Sequence, residues 1–423
     1  MAFTEHPLRR WAVNELHSRR FAPVPDMCEM VQIVLMVAAE QRAGEAEWLA
    51  TQQSSFAQWA LASRHGAGTT ISGVQMLWER HTEASSVTLI FPRATPLAER
   101  QALLDWAEQW PGEVIRATHV FVVPKVDDVA AQMAEHGLRP DETICCDVNG
   151  ALRIWSDFGI HPDGYGRLLV QAGKVSEAER GRIIQRLQEL GNYRNLALLG
   201  LPMVQQYGPE LDRLEAKLAE HAKRVARTDQ DDDSLLNELA GISAELELIR
   251  SETGFRLSAT AAYTEIAADR LAALEVQSVA NFQSLTDFTE RRLIPAARTC
   301  LNFGQRLAQL ADRISGVMHT LDVRIDSRIK AQNLQLMQSM ERSTQLQFRL
   351  QTLVEGLSII AAAYYLVGLF AFVAKGADAI GKGWSAEALV GAATLPVVLF
   401  IYLLVRRLRQ KVLGDAPAPP PNA

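Results

Sequence analysis

A chain of 423 residues is longer than one compact core holds, so more than one structural unit is expected. Apolar residues make up 48%, an ordinary share for a soluble protein, so any membrane segment has to be local. The net charge of −6 excludes nucleic acid as an obligate electrostatic partner, and no RNA- or DNA-binding motif is present.

The opening, MAFTEHPLRRWAVNELHSRR, is charged throughout and has no apolar h-region. No signal peptide is expected, and the body that follows is expected in the cytosol. His6, Arg9, Glu15, His17 and Arg20 crowd this segment. They read first as a solvated, salt-bridged stretch and only second as a metal or phosphate site.

Residues 1–172 read as an α/β domain. Met30 to Ala38 is a continuous apolar strand, and Ala43 to Ser63 a helix. Thr69 to Thr82 and Ser85 to Phe91 form a hairpin ended by Pro92, and Thr95 caps a helix carrying Leu103, Leu104 and Trp106. Val114 to Val123 is a β-branched, aromatic strand. Ile144 to Val148 and Leu152 to Phe158 flank Asn149-Gly150, a strong two-residue hairpin signal. A last strand, Arg167 to Gln171, follows the turn His161-Pro162-Asp163-Gly164. His161, Asp163 and Arg167 make this turn a candidate ligand loop, although a tight turn explains Asp163-Gly164 without any ligand.

The four cysteines, Cys28, Cys145, Cys146 and Cys300, lack metal-ligand spacing. Cys145 and Cys146 sit in an apolar run where successive side chains point to opposite faces, so buried thiols in a reducing compartment are expected.

After Gly173 the pattern turns helical through residue 350. Ser176 and Glu179 form a capping box for a helix to Gly191, Pro209 to Arg227 is a second helix, and Asp229 to Asp233 is a polar turn. Ser234 opens a third helix through about Ile294, where Pro295 permits a break. Ala296 to Ala374 contains no proline and would span about 115 Å as one helix. Leu307, Leu310, Ile314, Val317 and Leu321 step by three and four as a coiled-coil seam, which shifts to Ile325, Ile329, Leu336 and Met340. The seam fits burial within a three-helix bundle and a stalk that packs on copies of itself, and both can hold at once.

Residues 351–411 hold two candidate spans. Gly356 to Ala374 and Ala388 to Val405 carry no charge, and each is long enough for a ~30 Å hydrocarbon core. Pro396 inside a span is tolerated. Arg406, Arg407, Arg409 and Lys411 follow the second span, and Arg342 and Arg349 precede the first. Between the spans stand only Lys375 and Lys382, offset by Asp378 and Glu387. The positive-inside rule therefore places both termini in the cytoplasm, with Trp384 and Tyr402 near the interfaces. Ser358, Ala362, Tyr365 and Leu369 share a stripe on the first span that would line a pore or pack helix on helix. Residues 412–423 end in a proline-rich tail expected to be disordered.

The zinc-protease and serine-hydrolase signatures are absent. A partial phosphate-loop match, Gly376 to Lys382, has Gly383 where the Mg²⁺-holding Ser or Thr belongs, and no strand precedes it. No catalytic, cofactor or metal residue is assigned, and an enzyme is not expected.

The segment HPLRRWAVNELHSRR and the stretch LQFRLQTLVEGLSIIAAAYYLVGLFAFVAKG resemble the corresponding parts of a family of bacterial membrane-anchored proteins known only as a domain of unknown function. That resemblance covers essentially the whole chain and implies no chemistry. The overall plan also resembles the CorA-type magnesium channels, homopentamers whose first spans line the pore. Their Gly-Met-Asn signature follows the first span, where this chain reads Ala374-Lys375-Gly376-Ala377-Asp378, so magnesium selectivity is not implied. The expectation is an α+β protein: a cytosolic α/β domain, a long helical bundle or coiled-coil stalk, and a two-helix transmembrane hairpin. Functionally it is a membrane-anchored structural or sensory protein of the bacterial inner membrane, homo-oligomeric through its long helix. A CorA-like channel of unknown solute is the alternative.

Overall fold

A computed structural model describes residues 4–18, 21–61, 64–125, 128–227, 231–378 and 385–414. Arg20, the side chains of Glu15 and His17, Ser63, Asp229, Lys382, Gly383, Trp384, the side chains of Arg409 and Lys411, and the tail from 415 lie outside what is described. The chain divides into two units, residues 1–319 and 320–423.

In chain order the first unit contains α1 (Arg9–Ser18), β1 (Cys28–Met36), α2 (Arg42–Thr51), β2 (Gln58–Leu61), β3 (His65–Thr69), β4 (Gln75–Arg80) and β5 (Ala84–Pro92). There follow α3 (Leu97–Glu108), β6 (Glu113–Val123), α4 (Val129–Glu135), β7 (Ile144–Val148), β8 (Leu152–Ser156) and β9 (Gly166–Gln171). The helices α5 (Glu177–Leu198), α6 (Gly200–Val225) and α7 (Asp232–Ala272), the strand β10 (Gln277–Ser278) and the start of α8 (Leu285–Asp378) complete it. The class is α+β.

The described strands form one mixed sheet in the order β10-β7-β8-β9-β6-β1-β5-β4-β3-β2. Among the described strands the one parallel pair is β6 with β9, set by Thr118 opposite Gly166 and His119 opposite Arg167. β1 is central and buried on both faces, which is why its sequence is an unbroken apolar run instead of an alternating one. On one face Met30, Val120, Ile154 and Leu168 pack on Ile183, Ile184, Leu187 and Leu190 of α5, with Ala267 of α7 and Leu285 of α8. On the other face Val31, Ile33, Leu35, Val87 and Leu89 meet Leu49 of α2 and Leu103 and Trp106 of α3. Cys146 joins the α5-side core and Cys145 the opposite one, as alternation along a strand requires. All four thiols are free and buried. Burial pushes Cys28 and Cys145 up to about 12 and Cys146 to about 11, so they stay protonated and weakly nucleophilic at neutral pH.

Local signals held where they were strong. Asn149 and Gly150 take φ of 50° and 60°, the mirror-image turn geometry their identities favour. The Ser176 hydroxyl accepts from the Glu179 N–H at 3.2 Å and starts α5.

The following expectations need correction. The helix expected over Ala43 to Ser63 ends at Thr51, and Gln58–Leu61 forms β2. Tertiary packing overrides helix propensity there: Phe56 and Trp59 seat against Gly68 of β3, where a Cβ would fall 2.7 Å from the Phe56 ring. Thr95 does not cap α3; its hydroxyl donates to the Pro92 carbonyl at 2.7 Å, and Pro96 stands at the cap. The second helix starts at Gly200 and runs through Pro209. The third helix stops at Ala272, because Leu274 is buried in the core and the Asn149 N–H donates to the Leu274 carbonyl at 2.9 Å. The chain then pairs Gln277 with Asp147 and Ser278 with Cys146, adding an edge strand. Pro295, which permits a break or kink, lies inside α8 and does not end it.

In the first unit Leu307, Leu310 and Ile314 of α8 are buried, and Arg306 donates to Glu215 of α6 at 3.0 and 2.8 Å. This half of the seam is therefore satisfied within the chain. The second unit contains the rest of α8 and α9 (Ala386–Gly414), so residues 412–414, expected in a disordered tail, are helical.

Candidate functional site

The sheet face that carries α3 and α4 presents a network of ion pairs. Glu29 of β1 accepts from Arg100 Nη1 of α3 at 2.6 Å and from His119 Nε2 of β6 at 2.8 Å. The Phe121 ring lies between the imidazoles of His119 and His136, at 4.1 and 3.9 Å between centroids. Burial works to raise the Glu29 carboxyl, but hydrogen bonds from His119 and Arg100 outweigh it and hold the group below its ordinary range. Burial pushes both His119 and His136 down, with Glu29 opposing the shift at His119. Both histidines are thus held neutral by the fold.

The unfolded chain therefore binds their protons more readily, and stability is lost as pH falls below about 6.5, the ordinary histidine value. Glu29 adds a second loss of the same sign at lower pH, as acid titrates through its depressed folded value. His119→Gln is expected to flatten the first of these losses. Thermal midpoints of wild type and variant, taken from neutral pH down to pH ~5, check this. Equal slopes would overturn it.

The candidate ligand loop borders this face, and its ionisable groups are engaged internally. His161 Nε2 donates to Asp157 at 3.0 Å, while Asp163 pairs with Arg167. Burial alone would raise Asp163, but the hydrogen bond from Arg167 lowers it. Gly164, at φ 84°, closes the turn by donating to the His161 carbonyl at 2.8 Å. The structure therefore joins Asp163 to Arg167 and gives His161 a different partner. In the N-terminal segment Arg9 pairs with Glu5 at 3.1 Å, and His6 accepts from the Leu8 N–H at 3.2 Å. Among the described residues no three His, Cys, Asp or Glu side chains gather as a metal set.

The opposite face is built differently. A cavity of about 360 Å³ lies between α5 and strands β6, β8 and β9. Arg116, Thr118, Phe158, Arg167, Arg194 and Asn195 are in its wall, and among the described residues no Asp or Glu is. Arg116 is positioned by Asn192 Oδ1 at 2.8 Å and Gln32 Oε1 at 3.2 Å, both neutral amides. Its guanidinium rests on Gly191 of α5, where a Cβ would come within 2.7 Å of Nε and Nη2. Arg194, 9% exposed, stacks over Phe158 at 4.2 Å and Phe288 at 5.2 Å. Phe158 holds φ 49° to present its ring, a conformation that costs a non-glycine residue free energy. Among the described residues no carboxylate pairs with Arg116 or Arg194. Burial and the like charge of Arg194 lower Arg116 to about 9, and burial and Arg292 lower Arg194 to about 10. Gln32 and Asn192 also line a larger cavity of about 700 Å³ on the same face, so Arg116 stands in the partition between the two.

Neither arginine stands out in the sequence. The available signal was Arg116 itself, a cation in the strand Glu113–Val123 that shares a face with Thr118 and Val120. Absence of a counter-ion is a property of the folded chain alone.

In the second unit both helices are long and apolar enough to cross a membrane. On α8 the sheltered positions are Ile359, Ala363, Val367, Ala371 and Ala374; on α9 they include Val390, Thr394, Val397, Ile401 and Val405. Steps of three and four make these one face per helix. Ser358, Ala362, Tyr365 and Leu369 are exposed and lie off that face. No curated protein matches the chain. One family model, described as "Protein of unknown function (DUF3422)", matches residues 4–412, and the chain belongs to that family.

Proposed function

We propose that the chain is a sensory protein anchored in the bacterial inner membrane by the apolar parts of α8 and α9, with the first unit and both termini in the cytoplasm. One observation carries this reading. Gly356 to Ala374 and Ala388 to Val405 contain no charged side chain, yet expose Leu357, Tyr365, Phe372 and Leu395 at 74–80%. Exposed apolar surface on this scale is unfavourable in water by about 25 cal/mol per Å², and a bilayer removes the cost. Clustered Arg and Lys after the second segment set the orientation. The arginine-lined cavity gives the sensory role a ligand site. Upstream, Ile329, Leu336 and Met340 are exposed on α8, which supports a homo-oligomer formed along that stretch and not through Leu310, which the first unit buries.

The test is extraction and labelling. The protein should remain in the membrane fraction through alkaline carbonate washing. A cysteine placed at Ala379, in a background without the native thiols, should react with an impermeant maleimide outside spheroplasts, and one placed at Ala416 should not. Release by carbonate would sink the anchor, and equal protection of both sites would sink the topology. The exposure of Ser358, Ala362, Tyr365 and Leu369 favours a second reading, in which copies pack on this stripe around a path as in CorA-type channels. Ion flux above that of empty liposomes, raised further by Tyr365→Ala, would turn the proposal to that reading.

A further inference from the structure

We infer that the cavity between α5 and strands β6, β8 and β9 binds the phosphoryl group of a small phosphate ester, held between Arg116 and Arg194. The inference gives the sensory reading a ligand class, and binding is measured apart from membrane insertion, so either can fail alone.

A buried cation without a counter-ion is costly, and proteins commonly offset it with a carboxylate. Here the guanidinium groups of Arg116 and Arg194 share a wall that also includes Arg167, whose charge Asp163 already offsets; among the described residues no carboxylate lines it, and the groups bonded to Arg116 are neutral amides. Gly191 leaves room for one guanidinium, and the Phe158 and Phe288 rings carry the other. Both cations are therefore positioned by dedicated packing, which chance burial would not supply.

Two uncompensated positive charges match a dianion better than a monoanion, and the planar guanidinium fork suits phosphoryl oxygens. Thr118 and Asn195 add polar groups to the wall, and Ile154, Leu168, Leu187 and Leu190 offer an apolar bed for the ester's organic part. At about 360 Å³ the cavity falls within the range of small-molecule sites. A soluble ester and a lipid monoester headgroup share this chemistry.

The experiment is equilibrium dialysis of the full chain in an uncharged detergent against radiolabelled inorganic phosphate. Glycerol 3-phosphate and a short-chain phosphatidic acid serve as competitors. Saturable binding of one phosphate per chain is expected. Competition by glycerol 3-phosphate identifies a soluble source, and competition by phosphatidic acid alone identifies a lipid one. Arg116→Gln and Arg194→Gln should each weaken binding by roughly tenfold or more, the loss of one charge-assisted contact. The surface change Arg250→Gln should leave binding unaltered.

Both cavity variants should fold, because each removes a charge with no carboxylate partner, buried at Arg194 and part-buried at Arg116. Their phosphate-free melting midpoints should equal or exceed that of wild type, while the phosphate-dependent rise disappears. Thr118→Val, which touches neither charge, should also weaken binding. Absence of saturable binding by the wild type overturns the inference. So does binding that is undiminished in Arg116→Gln, Arg194→Gln and Thr118→Val, which would mark an adventitious ion only.

Discussion

Arg80→Met is expected to destabilise the first unit by about 3–5 kcal/mol, the usual cost of stripping one partner from a buried ion pair. Glu45 on α2 is fully buried, and its carboxylate collects donors from three residues, two on β4 and one in the loop after α3. Arg80 donates through Nε at 2.9 Å and Nη2 at 2.7 Å, and the indoles of Trp78 and Trp110 donate at 3.2 and 3.3 Å. Without Arg80 the two indole N–H groups remain, but the negative charge has no counter-ion in a core where water does not reach it. Converting the pair together, Glu45→Leu with Arg80→Met, removes the charge as well and should recover most of the loss. Urea unfolding followed by intrinsic fluorescence reads this unit, since every tryptophan except Trp384 precedes residue 156. Equal stability of Arg80→Met and wild type would show that the carboxylate finds other compensation.

The second large effect is expected from a single methyl group. Gly181 lies in the first turns of α5, where the incoming segment from Ala22 to Val24 crosses it. A Cβ at this position would sit 1.9 Å from the Ala22 carbonyl oxygen, a backbone atom with no rotamer to yield. That crossing is secured by Arg180 Nη1, which donates to the Val24 carbonyl at 2.7 Å, and by the Val24 N–H, which donates to the Glu177 carbonyl at 3.0 Å. Gly181→Ala must part the two segments, losing these bonds and the packing of Val24, which is 1% exposed. Overpacking and bond loss together outweigh the ~1 kcal/mol that alanine gains over glycine in a helix, leaving a net loss of about 2–4 kcal/mol. Gly254→Ala in α7 is the control, because nothing lies within 4 Å of its added Cβ. It should stabilise by up to ~1 kcal/mol. If both substitutions shift the urea midpoint the same way, the close approach at Ala22 is wrong.

What the sequence made legible was what local chemistry decides. The apolar run of β1, the Asn149-Gly150 turn, the Ser176 cap and the charge-free segments of α8 and α9 each rest on a few adjacent residues or on composition. Alternation alone separated Cys145 from Cys146. The misses share a different cause. β2 exists because Phe56 and Trp59 meet Gly68, and β10 is two residues with no pattern of their own, paired to a strand over a hundred positions earlier. The Leu307 to Ile314 part of the seam has the same spacing as a self-associating stalk, and only Arg306 meeting Glu215 of α6 tells the two apart. The cavity was least legible. Arg116 and Arg194 are ordinary residues in sequence, and what distinguishes them is that no described carboxylate pairs with either.

The edge strand β10 has a consequence for the order of events during synthesis. Leu285 and Leu293 belong to the same core as β7 and β8, so the sheet cannot finish packing until translation has passed that point. The first charge-free segment begins at Gly356, about sixty residues further on, which at about 5–20 residues per second leaves roughly 3–12 seconds. Within that interval the nascent sheet unit can close its core before an apolar segment follows it out of the ribosome. A chain stopped near residue 172 would leave β7 with an open edge and its core without Ala267, Leu274 and Leu285. Such a fragment would be prone to edge-to-edge pairing and aggregation.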